Sequence, residues 1–232
     1  MTNMTIIDEL RKAGNPEKAL HHARFFKTGK GEYGEGDIFW GINVPTQHAI
    51  AKKYVNLPLE EIQELINSPV HECRLTGLLI LVNKFKKADK KLRKDLHTFY
   101  MNHSKKINNW DLVDSSAEEL VGEYLLDKDT SVLEKFANSD NLWQRRIAII
   151  ATYAFVKKGR FDETIKIATI LLHDEHDLIH KAVGWMLREA GKRDQTVLIS
   201  FLDKHSKTMP RTMLRYAIEK LDTPIRKQYM TR

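Results

Sequence analysis

One cysteine, Cys73, in 232 residues excludes an intrachain disulfide framework and any thiolate-held metal cluster, and it fits a reducing compartment. Six prolines and 11 glycines leave few places to break a helix, and no convincing alternating apolar run supports a strand. No segment approaches the roughly 20 apolar residues of a membrane span, and the opening "MTNMTIIDELRKAG" has no apolar stretch of signal-peptide length. P-loop, nucleophile-elbow and dinucleotide signatures are missing as well. A soluble cytoplasmic protein without a cofactor or a membrane association is expected.

With 42% hydrophobic and 30% charged residues, the chain can bury a substantial core. Nothing in it resembles an interdomain linker, so a single domain over residues 1–232 is expected. The formal net charge of +7 and the pI near 9.3 favour an acidic partner such as nucleic acid or an anionic membrane surface. A basic run, "KFKKADKKLRK" from Lys84, is consistent with phosphate contact but reads first as a solvated face.

Helix starts recur along the chain, at "NPEKALHHARFFK" with Asn15 as cap and Pro16 in the first turn, and at "LPLEEIQELI", "TSVLEKFA", "DETIKIATILL" and "TPIRKQYM". The one Gly-rich interruption, "KTGKGEYGEGD" from Lys27 to Asp37, reads as a loop. Aligning "NSPVHECRLTGLLILV" with "NSDNLWQRRIAIIATY" and "HDEHDLIHKAVGWMLRE" places Arg74, Arg145 and Lys181 in register, with a period of about 36 residues and one copy between the first two. Helical units of that length imply an all-α solenoid of stacked repeats, with a concave basic face as its binding surface. A compact all-α bundle is the alternative.

The missing copy contains "INNWDLVDSSAEELVGEYLL", Ile107 to Leu126, which reads as one amphipathic helix. At about 100° per residue, Trp110, Val113, Ala117, Leu120, Val121, Tyr124 and Leu125 share an apolar arc that also contains Asp114, while Asp111 faces elsewhere. A carboxylate there is expensive unless it is paired or used. In "DNLWQRRIAIIATYAFV", Arg146 likewise projects among Leu142, Trp143, Ile150 and Tyr153. Either Asp114 and Arg146 form a structural ion pair or lie at the rim of a core, or the arc opens as a cleft into which Trp110 and Asp114 project together. Trp185 lies at the edge of its own arc between Lys181 and Arg188, a pattern suited to a phosphate-lined groove and equally to a tryptophan covering the core edge. "HDLIH", His176 to His180, has zincin-like spacing but no third ligand, so no metal site is expected.

Taken in order, "NPEKA" at Asn15, "GINVPTQ" at Gly41, "NNWDLVD" at Asn108, "DNLWQRR" at Asp140 and "HKAVGWMLRE" at His180 resemble the DNA alkylation repair glycosylases of the AlkD family, all-α proteins of HEAT-like repeats. The resemblance implies hydrolysis of the N-glycosidic bond of N3- or N7-alkylated purines in double-stranded DNA; the sequence gives no sign of oligomerisation, and a monomer is expected. It assigns catalytic roles to Asp114, Trp110 and Trp185, and a basic partner role to Arg146, with Arg145, Lys181 and Arg188 as further phosphate contacts. It also implies that the backbone is gripped while the lesion stays stacked. Phe25 stands where the family carries tyrosine and Asn43 where it carries glutamine, so these two mark a DNA-facing end that departs from the pattern. Two other classes stay open: a catalytically silent relative that binds branched or damaged DNA, and a helical scaffold for an acidic protein.

Overall fold

Short polar side chains start the helices by meeting the free amides of a first turn. In the computed structural model, which describes residues 4–231, the Thr5 hydroxyl accepts from the Asp8 amide and the Asp8 carboxylate accepts from the Thr5 amide. This capping box begins helix Ile6–Lys12, α1. Asn15 caps Pro16–Phe25, α2, and Asn43 caps Val44–Lys53, α3. Each then has a proline in its first turn, where a missing N–H costs nothing. Leu59–Asn67 (α4), His71–Lys87 (α5), Lys90–Asn102 (α6) and the five-residue Trp110–Asp114 (α7) follow.

The chain, expected as one domain, packs as two compact units, one ending at Ser116 and the other starting at Ala117. In the first unit every residue of α5 from His71 to Val82 is buried. A helix buried on all sides belongs at the centre, and α3, α4, α6 and α7 pack on it. In the second unit, Ser131–Ala137 (α8), Leu142–Ala151 (α9), Tyr153–Lys157 (α10), Asp162–Ile170 (α11), Asp177–Arg193 (α12), Gln195–His205 (α13), Arg211–Ala217 (α14) and Thr223–Met230 (α15) are ordered so that α9, α11, α13 and α14 surround α12. Among the described residues the sole sheet-like pairing is an isolated bridge between Ile38 and Val70. The fold is all-α, as the sequence predicts.

The repeat register holds in detail for two of its three positions. Ser68 Oγ and Ser139 Oγ each accept, at 3.1 Å, from the amide two residues on. Arg74 and Arg145 each donate from Nη1 to the carbonyl of that serine at 2.9 Å, and each reaches an aspartate, Asp37 or Asp174, at 2.6 Å. Lys181 differs: it pairs with Asp177 one turn back on its own helix at 2.7 Å.

The single helix expected over Ile107–Leu126 is not formed. Helix α7 stops at Asp114, the Ser116 hydroxyl donates back to the Leu112 carbonyl at 2.6 Å, and residues Glu118–Glu123 take a wider π-helical turn. Gly122 lets that turn lie against α9, since a Cβ there would fall 2.1 Å from the Ala151 carbonyl oxygen. Hydrophobic spacing carries no mark of such a turn, so a wheel at constant angle loses phase after Ser115.

Candidate active site

Each polar residue of "NNWDLVD" has a task in the first unit. Asn109 accepts the Trp110 amide at 2.8 Å and so caps α7. Its Nδ2 donates to Asp37 Oδ2 at 3.4 Å, and Asn108 Nδ2 donates to Asp37 Oδ1 at 3.5 Å. Asp111, which the wheel turns away, instead accepts from His71 Nε2 at 2.8 Å, while His71 Nδ1 donates to Asp37 Oδ2 at 3.1 Å. The result is an alternating row, Arg74, Asp37, His71 and Asp111, in which every buried charge has an opposite neighbour. Burial disfavours the charged form of His71, but the carboxylates of Asp111 and Asp37 outweigh it and raise its pKa to about 9. For Asp37 burial instead pushes the pKa up, and its hydrogen bond from His71 and the Arg74 charge reverse this, leaving its pKa lowered.

Beside this row lies a cavity of about 610 Å³. Trp110 and Asp114, one turn apart on α7 and both half-buried, line it together. Aromatic rings form a large part of its wall. The ring of Trp110 stacks on Phe26 at 5.3 Å and Phe26 on Phe39 at 5.1 Å, and the His71 ring stacks on Phe39 at 4.6 Å. Phe25, 57% exposed, meets the Trp110 ring edge-on at 5.9 Å. Glu72, Asp111 and Asp114 share the wall with His71, so carboxylates outnumber its buried cation. Aromatic faces with surplus negative charge suit an organic cation.

The loop before α3 holds these parts in place. Glu72, 1% exposed, accepts from the amides of Trp40, Gly41 and Ile42 at 3.0, 2.8 and 3.2 Å, and its carboxylate lies 3.5 Å from His22 Nδ1. Gly41 has φ +78°, and a Cβ there would sit 2.1 Å from the Asn15 carbonyl oxygen. Only glycine permits this close approach of loop and α2. Asn43 also lines the cavity, although its side chain is engaged as the cap of α3. Phe25 and Asn43 thus share one cavity with Trp110 and Asp114.

The other expected site residues belong to the second unit. Trp185 on α12 is half-buried, 6.4 Å from the Tyr153 ring. Arg146 is 5% exposed and donates from Nη1 to the Leu178 carbonyl at 2.5 Å. Arg145 is committed to Asp174 and the Ser139 and Asp140 carbonyls. Arg188 pairs with Glu219 and lies 3.5 Å from Glu189. The "HDLIH" histidines have structural partners, His176 Nδ1 accepting the Leu178 amide and His180 Nε2 meeting the Asp174 carbonyl at 2.5 Å. Among the described residues no group of three His, Cys, Asp or Glu side chains is placed to hold a metal ion.

Sequence reasoning missed Asp37, His71 and Asp111, and with them the rings of Phe26 and Phe39. One signal was available: "HECR" places a histidine, a glutamate and an arginine at the start of a helix whose next turns, "LTGLLILV", are mostly apolar.

A family model described as DNA alkylation repair enzyme matches residues 6–221. No curated protein matches the chain. Among solved structures, a protein titled as a predicted DNA alkylation repair enzyme from Enterococcus faecalis is similar in fold. It shows 18% identity and a TM-score of 0.70, over 90% of this chain and 97% of that one.

Proposed function

Because the chain belongs to the DNA alkylation repair enzyme family, we propose that it hydrolyses the N-glycosidic bond of N3- or N7-alkylated purines in duplex DNA. The observation that carries this reading is the placement of Asp114 and Trp110 side by side on a cavity that is rich in aromatic rings and lined by Glu72, Asp111 and Asp114 against the buried His71.

An alkylated purine is already cationic. Its C1′–N bond breaks with both electrons leaving on the base, which departs neutral and needs no general acid. The remaining demand is on the sugar, where positive charge develops at C1′. A half-buried carboxylate at Asp114 stabilises that charge and orients a water, whose oxygen bonds to C1′ while its proton passes to Asp114 or to solvent. The face of Trp110 adds attraction for the charged sugar and base.

The proposed phosphate contacts divide by geometry. Lys181, with its side chain 40% exposed, is the cation best placed to meet a DNA backbone. Arg188 is the second, while Arg145 and Arg146 act mainly by holding the frame of the second unit.

The test is release of 7-methylguanine or 3-methyladenine from methylated DNA by wild type, Asp114→Asn and Trp110→Ala side by side. Asp114→Asn is expected to lose about 10²- to 10³-fold in single-turnover rate while DNA binding persists. Equal rates would remove Asp114 as the reacting carboxylate. No release by the wild type, with tight salt-sensitive binding, would favour a silent DNA-binding relative instead.

A further inference from the structure

The row of charges behind the cavity touches no reacting atom in the scheme above, yet it ties the loop at Asp37, the central helix α5 and helix α7 together. We propose that His71 is a positioning residue: by bridging Asp37 in the loop and Asp111 in α7, it sets the orientation of the short helix that presents Trp110 and Asp114 to the cavity. The activity part of this inference rests on the glycosylase reading; the geometric part does not.

Three observations carry it. Helix α7 has five residues, too few to be stable by its own hydrogen bonds, so its direction is imposed from outside. Its anchors are the burial of Leu112 and Val113, the Asn109 cap and the Asp111–His71 bond. Of these, the Asp111 bond ties the side of α7 to a buried residue of the central helix: His71 is 1% exposed, and its ring packs against Phe26 at 4.8 Å and Phe39 at 4.6 Å. The same Phe26 ring is the stacking partner of Trp110. Asp111 and Trp110 are therefore fixed by two sides of one assembly, one through charge and one through ring contact.

The bridge needs both imidazole nitrogens to donate, so it exists only while His71 is protonated. The charged groups that face it are Asp37 from the loop, Asp111 from α7 and Arg74 from its own helix. Glu72 and His22 lie beyond it on the cavity wall, and the elements carrying Phe26 and Phe39 present uncharged rings. Loss of the proton converts one of two donated bonds into a contact between a lone pair and a carboxylate. Helix α7 then loses its lateral anchor while the hydrophobic core stays intact.

The experiment follows histidine ring and tryptophan indole NMR signals of the whole protein across pH, with the Trp110 signal assigned through Trp110→Phe. In the wild type, His71 is expected to titrate near pH 9, and the Trp110 indole signal to follow with the same inflection. Asp111→Asn keeps the shape but removes the charge, and both inflections are expected to fall together by about one pH unit or more. A Trp110 signal that stays flat while His71 titrates, or a His71 that is neutral at pH 7, would overturn the proposal. In the activity arm, Asp111→Asn is expected to slow single-turnover base release by roughly 10- to 100-fold with DNA affinity retained; release at the wild-type rate would also overturn it. Should the wild type release no base, the glycosylase reading fails and the NMR arm alone decides the positioning role.

Discussion

Arg74 and Arg145 perform one task in two units: each clamps the serine carbonyl six residues behind it at 2.9 Å and an aspartate brought from another segment at 2.6 Å. The aspartates, Asp37 and Asp174, are 4% and 6% exposed, so removing the arginine strands a carboxylate in a poorly solvated place. Arg145→Ala is therefore expected to cost about 3 kcal/mol, read from urea denaturation. Arg145→Lys should recover part of it, because an ammonium cannot reach a carbonyl and a carboxylate at once with the same geometry. A cost below about 0.5 kcal/mol would show that the clamp is not structural.

Lys181 should behave oppositely. Its partner Asp177 is 54% exposed, and an exposed pair of that kind is worth less than about 1 kcal/mol. Lys181→Ala is expected to leave stability nearly unchanged and to reduce the slope of log K for DNA against log salt by about 0.9. Binding titrations at several salt concentrations measure this directly, and an unchanged slope would remove Lys181 from the phosphate contacts.

The two halves of the charge row give stability a pH signature. The folded pKa of His71 is raised from 6.5 to about 9, so its contribution is complete below pH 6.5, declines up to about pH 9 and is absent above. Its slope in that window approaches 1.4 kcal/mol per pH unit. Asp37 has its pKa lowered, so its contribution holds above the ordinary carboxylate value and is lost as pH falls through the folded one. Urea denaturation at half-unit intervals from pH 6 to about 9.5 should show the decline in the wild type. In Asp111→Asn the decline should be shallower.

Two glycines with positive φ separate backbone strain from collision. Gly159 has φ +71° and open space around its missing side chain, whereas Gly41 has φ +78° and the Asn15 carbonyl within 2.1 Å of a built Cβ. Gly159→Ala is expected to cost about 1 kcal/mol and Gly41→Ala at least about 3 kcal/mol. Thermal melts compare them, and equal costs would mean that the α2–loop contact yields.

The all-α class, the cap of α2, and the pairing of Trp110 with Asp114 were legible because each follows from local spacing or a short-range hydrogen bond. The register of Arg74 with Arg145 was legible too, although its meaning was not: alignment finds the repetition, while only the fold brings Asp37 and Asp174 to it. Asp37 closes a Gly-rich stretch and looks like a solvated loop residue, yet it lies 34 positions from its partner His71. Nothing local announces so distant a pairing. Asp111 was misplaced for another reason, since a helical wheel sorts residues by hydrophobicity and cannot see a buried cation awaiting a carboxylate. The π-helical turn at Glu118–Glu123 escaped because its wider ring leaves no compositional trace.

The Glu72 carboxylate, gripped by three successive amides of residues 40–42, makes the N-terminal segment a clasped piece as well as a tethered one. Lys27 and Lys30 sit on the exposed side of that clasp, beyond the ring stack at Phe26 and before the anchor at Asp37. A protease that cuts there severs the covalent thread but none of the bonds that seat α2, so the fragments should remain associated. The cavity would then be walled by two polypeptides instead of one.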